Sequence, residues 1–373
     1  MKRLALLALL ALTAAIVGVA RAEATTGNAE AVFVETNELG GNNIVAYSRA
    51  GDGSLTWAGT FASGGFGGAQ AGAAVDNLAS QGALALDRVH NLLYAVNAGS
   101  DSLSVFSVEG TNLALQEVLP TNGDFPSSVT VHGNLVYVLN AGGEGSVQGF
   151  RVTGNHLTQV HDGSRPLGLG NANPPFFLTS PGQVGFSPDG SRLLVATKGS
   201  TSSIDVFSVD ANGSLSAAPV VNAAATPAPF SFTFDGAGRL VSAEAGISAV
   251  TTYTLDSDGT LSNAQSLPDG QAALCWITQA NGFFYVANAG SDTISGYSLS
   301  VSGAPSLLGA TGVVGQTESG AIDMAVTPDG KFLYAESGGA GTIDVFATNS
   351  DGTLAKLSIV GGLPVGLEGI AAS

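Results

Sequence analysis

Short stretches of alternating apolar and polar residues recur along this chain, each bounded by turn-forming residues. The alternation is plain in Ser203-Ile204-Asp205-Val206-Phe207 and in Thr342-Ile343-Asp344-Val345-Phe346. A period of two residues is typical of a β-strand with one buried face. An aromatic residue marks such a strand seven times, at spacings of 44 to 59 residues. The seven positions are Tyr47, Phe106, Phe150, Phe207, Tyr253, Tyr297 and Phe346.

The residues around each aromatic form a larger repeating unit. A second apolar strand precedes the aromatic strand, as in Leu92–Asn97 and Phe283–Asn288. Turns with Gly, such as Ser187-Pro188-Asp189-Gly190 before that strand and Ser350-Asp351-Gly352 after the aromatic strand, indicate hairpins. Each unit therefore predicts four antiparallel strands. Seven such units predict an all-β fold, a seven-bladed β-propeller of four-stranded antiparallel blades.

The two ends of the repeat complement one another. The first copy, residues 31–57, lacks an inner strand, whereas the last segment, residues 367–373, resembles an inner strand with nothing after it. We expect the C-terminal inner strand to join the N-terminal blade and close the ring. Residues 61–80 are rich in Gly and Ala and depart from the repeat, so they predict a long loop before an inner strand.

The N-terminus has the three-part pattern of a secretory signal peptide. A basic start, Met1-Lys2-Arg3, precedes an uncharged apolar run from Leu4 to Val19, and small residues near Ala22 and Ala24 suit cleavage. The alternative is a membrane anchor, but a bilayer span needs about 20 apolar residues. We therefore expect a signal peptide over residues 1–24, a single propeller over residues 25–373, and a secreted or periplasmic protein without a membrane span after cleavage.

Charge excludes several classes of partner. Cleavage after Ala22 leaves 9 basic and 29 acidic residues, a net charge of −20. Such a surface repels phosphate backbones and anionic lipids, so no nucleic acid is expected as a partner. The expected partner is a small-molecule ligand or a surface or protein partner, and the chain is expected to be a monomer. The single cysteine, Cys275, lies in an apolar run and is expected to be a buried small residue.

Several copies of the repeat resemble a known family. Tyr94-Ala95-Val96-Asn97-Ala98-Gly99-Ser100 and Ser187-Pro188-Asp189-Gly190 are similar to repeats of the lactonase-type (6-phosphogluconolactonase-like) seven-bladed propellers. Residues 78–86 and 272–276 resemble an exported bacterial subgroup of that family. The resemblance covers nearly all of the mature chain. It implies a seven-bladed propeller and, in the family's enzymes, lactone hydrolysis.

The resemblance also implies a catalytic segment, Pro-Arg-His, at the start of an inner strand. Here the corresponding residues are Pro181-Gly182-Gln183, so the cation and the base are both replaced. The four histidines of the chain do not compensate, because they fall in predicted hairpin turns or beside an outer strand. Gln183 is therefore retained as a candidate catalytic residue at the family's position.

In a propeller, the loops that lead into the inner strands and the loops that follow the second strands lie on the same face, around the central channel. This face is the expected site. The predicted strand boundaries place four glutamates and one lysine on this face: Glu244, Glu318, Glu336, Glu368 and Lys198. Glu318 and Glu336 are candidate general bases, while Glu244 and Glu368 are candidate ligands for Ca²⁺ or Mg²⁺, although no cofactor is required. Lys198 and Trp276 are candidate substrate-binding residues. The alternatives are an acidic rim that binds nothing specific and a Trp276 that only packs between blades.

Two functions follow from these observations. The first is an exported lactonase-family propeller that hydrolyses a lactone or a related ester. The alternative is a non-catalytic extracytoplasmic binding or interaction propeller, which the loss of the Arg and His favours.

Overall fold

The computed structural model describes residues 30–373 as a ring of seven β-sheets. The predicted signal peptide lies outside the described residues. The first three blades along the chain contain the strands β1 to β11. Blade 1 contains β1 (Ala31–Glu35), β2 (Asn43–Arg49) and β3 (Leu55–Ala62); blade 2 contains β4 (Leu84–Asp87), β5 (Leu92–Asn97), β6 (Ser102–Glu109) and β7 (Asn112–Pro120); blade 3 contains β8 (Pro126–His132), β9 (Leu135–Asn140), β10 (Ser146–Thr153) and β11 (His156–Pro166).

The remaining blades follow the same order from the inner to the outer strand. Blade 4 contains β12 (Gln183–Phe186), β13 (Arg192–Ala196), β14 (Ser203–Ser208) and β15 (Val220–Ala223); blade 5 contains β16 (Pro229–Phe234), β17 (Leu240–Glu244), β18 (Ala249–Leu255) and β19 (Leu261–Pro268); blade 6 contains β20 (Leu274–Ala280), β21 (Phe283–Asn288), β22 (Thr293–Leu299), β23 (Pro305–Leu307) and β24 (Val313–Gln316); blade 7 contains β25 (Ala321–Val326), β26 (Phe332–Ser337), β27 (Thr342–Thr348) and β28 (Leu354–Val360). The predicted all-β fold is confirmed.

The last strand of the chain closes the ring. β29 (Ile370–Ala372) pairs antiparallel with β1, with Val32 opposite Ala372 and Val34 opposite Ile370. It thereby becomes the inner strand of blade 1, whose order is β29-β1-β2-β3. The predicted closure by the C-terminal strand is confirmed. The first and last segments of the chain therefore share one sheet.

The core of the propeller lies between its blades. Seven hydrophobic clusters are buried, and each joins residues of at least two neighbouring blades. The seven repeated aromatics of the third strands all belong to these clusters and are at most 4% exposed. Their predicted role as core residues is confirmed. Because no blade buries both of its faces alone, the blades depend on one another for stability.

The described chain contains no helix that is long and apolar enough to cross a bilayer. Its one helical element is a short 3-10 turn, Ala98–Ser100.

Candidate ligand-binding site on the channel face

Two inserts between blades cover one face of the central channel. The first insert, residues 63–83, precedes β4, and the second insert, residues 167–182, precedes β12. They pair with each other where Ala71 N donates to Pro175 O (2.9 Å) and Phe177 N donates to Ala71 O (3.1 Å). The Gly- and Ala-rich segment predicted as a loop is thus an ordered cap on the ring.

The end of the first insert runs through the middle of the ring. Residues 78–82, called the plug here, hydrogen-bond to five other blades. The contacts are Leu78 N to Glu368 Oε1 (3.0 Å), Ser80 Oγ to Ser127 O (2.7 Å), Gln81 N to Gly182 O (2.9 Å), Trp276 Nε1 to Ser80 O (2.9 Å) and Gly82 N to Asp323 Oδ2 (3.0 Å). β4 begins after the plug, at Leu84.

β-Bulges direct two side chains towards the channel face. The register of β16 shifts between Pro229 and Ser231, and that of β20 shifts between Leu274 and Trp276. The extra residues at these bulges are Phe230 and Cys275, and both line a cavity beside the plug. A bulge adds one residue to a strand and re-aims its side chain, which is common beside functional sites.

The cavity has a volume of about 370 Å³ and lies between blades 4, 5 and 6 and the two inserts. Four alanines of blades 5 and 6 form one wall. Phe230 and Trp276 form another, with their rings 5.0 Å apart in an edge-to-face arrangement. Lys198 and Asp76 bring the only charged groups among its described lining residues. An apolar cavity of this size with a few convergent polar groups is typical of a small-molecule site.

Lys198 is held in the cavity by its place after β13. Most blades carry a small residue at the equivalent position, such as Ala245 in blade 5 and Ala289 in blade 6. Lys198 is 3% exposed, has a left-handed φ of 49°, and donates a hydrogen bond from Nζ to Ala79 O. Its Nζ also lies 5.0 Å from the centre of the Phe230 ring. Burial lowers the pKa of Lys198 to about 8, against the opposing charges of Asp76, Cys275 and Glu368.

Asp76 faces Lys198 from the first insert. Its Oδ1 accepts a hydrogen bond from Ala79 N (2.5 Å). Burial raises the pKa of Asp76 to about 6, although a side-chain hydrogen bond with Glu368 and then the Lys198 charge oppose the rise. Glu368 lies beside it, and burial and then the Asp76 charge raise the pKa of Glu368 well above its usual range. Asp76 was not among the predicted site residues.

Cys275 adds a thiol to the same cavity. Its side chain is buried, as predicted, and burial raises its pKa to about 12. A thiol with so high a pKa is protonated at neutral pH and is a poor nucleophile. The predicted ligand-binding residues Lys198 and Trp276 thus line one cavity together with Cys275 and Asp76.

Two of the four predicted glutamates do not join this site, so the predicted grouping is wrong for Glu244 and Glu318. Glu244 accepts hydrogen bonds from Thr226 N (3.0 Å) and Thr251 Oγ1 (2.9 Å), inside blade 5. Glu244 is the last residue of β17, and its side chain points into the blade. Glu318 is about half exposed and lies 3.7 Å from Lys356 Nζ at the outer side of blade 7.

Gln183 has a structural contact instead of a free side chain. Its Oε1 accepts a hydrogen bond from Phe232 N (2.6 Å) on the neighbouring inner strand. The preceding Gly182 has no room for a side chain, because a Cβ there would lie 2.2 Å from Phe230 O. An Arg at this position, as in the family's Pro-Arg-His segment, requires a different backbone.

Glu336 and Glu368 belong to a buried group of five carboxyl side chains next to the plug. The other members are Asp76, Asp323 and Glu35. Glu336 is fully buried, and neither of its carboxyl oxygens has a hydrogen-bond partner. Burial, and then the charges of Asp323 and Glu35, raise its pKa well above the usual range. Over the described residues, no three His, Cys, Asp or Glu side chains are arranged to hold a metal ion.

We expect Glu336→Leu to stabilise the protein, and more so at high pH. Between the pKa of Glu336 in the unfolded chain and its higher pKa in the folded protein, only the folded protein holds the proton. The free energy of unfolding therefore falls as pH rises above about 4.5. Leucine occupies the equivalent position, Leu139, in blade 3. Removing an unpartnered buried carboxyl should add roughly 1–3 kcal/mol at pH 8. Urea unfolding at pH 4 and pH 8 measures this, with exposed Glu109→Gln as control; an equal change at both pH values would contradict it.

Comparison with known proteins gives one family and a set of similar structures. The model of the family described as lactonase, 7-bladed beta-propeller, matches residues 27–156. No curated protein sequence matches the chain.

Three solved structures illustrate the likeness in fold. A provisionally assigned 6-phosphogluconolactonase from Bacteroides fragilis is 19% identical, with a TM-score of 0.70 over 94% of this chain and 98% of its own. Another from Bacteroides uniformis is 20% identical, with a TM-score of 0.67 over 92% and 99%. A periplasmic gluconolactonase from Pseudomonas aeruginosa is 18% identical, with a TM-score of 0.66 over 92% and 98%.

Sequence identities this low show a shared fold only, so the function must be argued from the residues of the site. The resemblance to lactonase-type seven-bladed propellers is confirmed as a family match over residues 27–156 and as a shared seven-bladed fold over residues 30–373.

Proposed function

We propose that this protein is an exported hydrolase of lactones or related esters, acting in the channel-face cavity. The observation that carries the proposal is that Lys198 and Asp76 flank Ala79 in an otherwise apolar cavity of a propeller that matches the lactonase family model. The predicted signal peptide and the fold of a periplasmic gluconolactonase support export.

The two charged groups have complementary roles in this proposal. The Asp76 carboxylate takes a proton from water, which attacks the carbonyl carbon of the bound ester. The Lys198 ammonium donates to the carbonyl oxygen and stabilises the negative charge that develops there. When the ring C–O bond breaks, the proton held by Asp76 passes to the leaving oxygen. The product is the hydroxy acid.

This assignment replaces the predicted bases Glu318 and Glu336. Glu318 is paired with Lys356 away from the cavity. Glu336 is fully buried and does not line the cavity. Glu368 lowers the pKa of Asp76 through a side-chain hydrogen bond and accepts a hydrogen bond from Leu78 N, so it positions Asp76 and the plug.

The pH profile and a lysine variant test the proposal. The reaction needs Asp76 ionised and Lys198 protonated, so kcat/KM for a panel of five- and six-membered lactones should be bell-shaped, with limbs near pH 6 and pH 8. Lys198→Met should lower kcat about 10²–10³-fold. The control is Lys331→Met, whose side chain is exposed on a hairpin of blade 7. Absence of turnover with every lactone would contradict the proposal.

One observation favours the non-catalytic alternative. The family's Arg and His positions are Gly182 and Gln183, and Gln183 is used to hold Phe232 N. A propeller that only binds its ligand would still use the cavity. Ligand binding without turnover in the same experiment would therefore support a binding protein.

A further inference from the structure

The wall of the cavity repeats one apolar element twice. In blade 5, Ala245 N donates to Ala228 O (2.9 Å), and in blade 6, Ala289 N donates to Ala273 O (3.1 Å). Each pair joins the residue after a second strand to the residue before an inner strand, and all four line the cavity. The equivalent Ala98 of blade 2 is covered, because a Cβ at Gly68 would lie 2.7 Å from its methyl group. The alanine pairs of blades 5 and 6 therefore remain open to a ligand.

The charged groups of the cavity are concentrated at one place. Lys198 Nζ donates to Ala79 O, and Asp76 Oδ1 accepts from Ala79 N, so both charges flank one residue of the plug. An ammonium has three N–H donors, and Lys198 uses one of them within the described chain. A buried donor without a partner is costly, which favours a ligand that brings an acceptor oxygen.

A phosphosugar or polyol does not suit this arrangement. Several hydroxyl groups would need several polar partners, whereas the alanine wall, Phe230 and Trp276 offer none beyond the indole N–H, which is already bonded to Ser80 O. A phosphate dianion would also meet Asp76 and Glu368 with one ammonium to balance its charge.

The apolar surface continues beyond the cavity. Leu178 lines it and is 54% exposed, and Ile247, two residues after Ala245, is 49% exposed. The cavity, with a volume of about 370 Å³, is open to solvent. A chain longer than the cavity therefore meets further apolar side chains at its mouth.

We propose that the cavity takes an amphipathic ligand, with one carboxylate or lactone carbonyl at Lys198 and an alkyl body against the alanine pairs. For the substrate, this rests on the proposed function, and it names alkyl-substituted lactones as the class. The hydroxy acid formed by their hydrolysis keeps its carboxylate on Lys198. Binding of a simple alkyl carboxylate does not require catalysis.

Calorimetric titration with butanoate, hexanoate, octanoate and decanoate tests the inference on the intact protein. Affinity should rise about fourfold per methylene up to the length that fills the cavity. Gluconate and 6-phosphogluconate should bind more weakly than octanoate. Lys198→Met should weaken octanoate at least tenfold, whereas Lys331→Met should not change it. Affinity independent of chain length, or tighter binding of 6-phosphogluconate, would overturn the inference.

A second variant separates the alkyl site from the charged site. Ala289→Leu places a larger side chain in the cavity, so octanoate and decanoate should lose about tenfold or more while butanoate keeps its affinity. Circular dichroism confirms that each variant is folded. If alkyl carboxylates bind with this dependence and no lactone is hydrolysed, the proposed function fails and the inference stands. If lactones are hydrolysed without any preference for alkyl chains, the inference fails and the proposed function stands.

Discussion

A chain that ends at Gly366 should not fold into the ring. Truncation removes β29 and with it the inner strand of blade 1. The deleted segment includes Leu367 and Ile370, which are 0% and 5% exposed, and each contributes about 1.5–3 kcal/mol by burial. It also removes hydrogen bonds such as Glu35 N to Gly369 O (2.9 Å) and Glu368 N to Glu35 O (3.0 Å). Together these losses are comparable with the whole stability of a typical domain, about 5–15 kcal/mol.

Circular dichroism and thermal unfolding measure this directly. The truncated protein should lose its cooperative transition, because the exposed faces of blades 1 and 7 have no alternative cover. Deletion of Ser373 alone is the control, since it leaves the pairing of Ile370–Ala372 with β1 in place. A truncated protein that melts at the temperature of the full chain would show that the ring does not depend on its closing strand.

Asp76→Asn should abolish most of the hydrolytic activity. The side chain keeps its shape and its Oδ1 contact with Ala79 N, but it no longer accepts a proton from water. Loss of a general base typically lowers kcat about 10²–10⁴-fold. The limb of the pH profile near pH 6 should disappear as well, while binding of an alkyl carboxylate should remain.

The matched control is Asp351→Asn, in an exposed turn where Asn supports the same local hydrogen bonds. It should leave kcat unchanged. An Asp76→Asn protein with the wild-type kcat and an unchanged acidic limb would show that another group is the base. An unchanged melting temperature would separate the chemical effect from a structural one.

The fold was predictable because its signals are local and repeat seven times. Each blade carries an alternating strand with a buried aromatic and a Gly-containing hairpin turn, so an error in one copy is corrected by the other six. The closing strand was predictable from the same repeat. Cys275 was correctly predicted as buried, but its place at a bulge came only from the register of β20 and β21.

The site was less predictable because it depends on single-residue shifts and on an insert outside the repeat. Glu244 ends its strand and points into blade 5, whereas Lys198, one position further along in blade 4, faces the cavity. A shift of one residue reverses the face of a side chain. Asp76 had one available signal: it is the only charged residue between Asp52 and Asp87. Its meeting with Lys198 depends on the path of the plug.

The plug also bears on how the molecule folds. Its hydrogen bonds join residues separated by 290, 241 and 196 positions, from Leu78 to Glu368, Gly82 to Asp323 and Ser80 to Trp276. Contacts so distant in sequence raise the contact order, and high contact order slows folding. The plug can form these hydrogen bonds only after blades 6 and 7 and the C-terminal segment have folded against it. The cavity is therefore one of the last features to form, and ligand binding can report completion of folding in a refolding experiment.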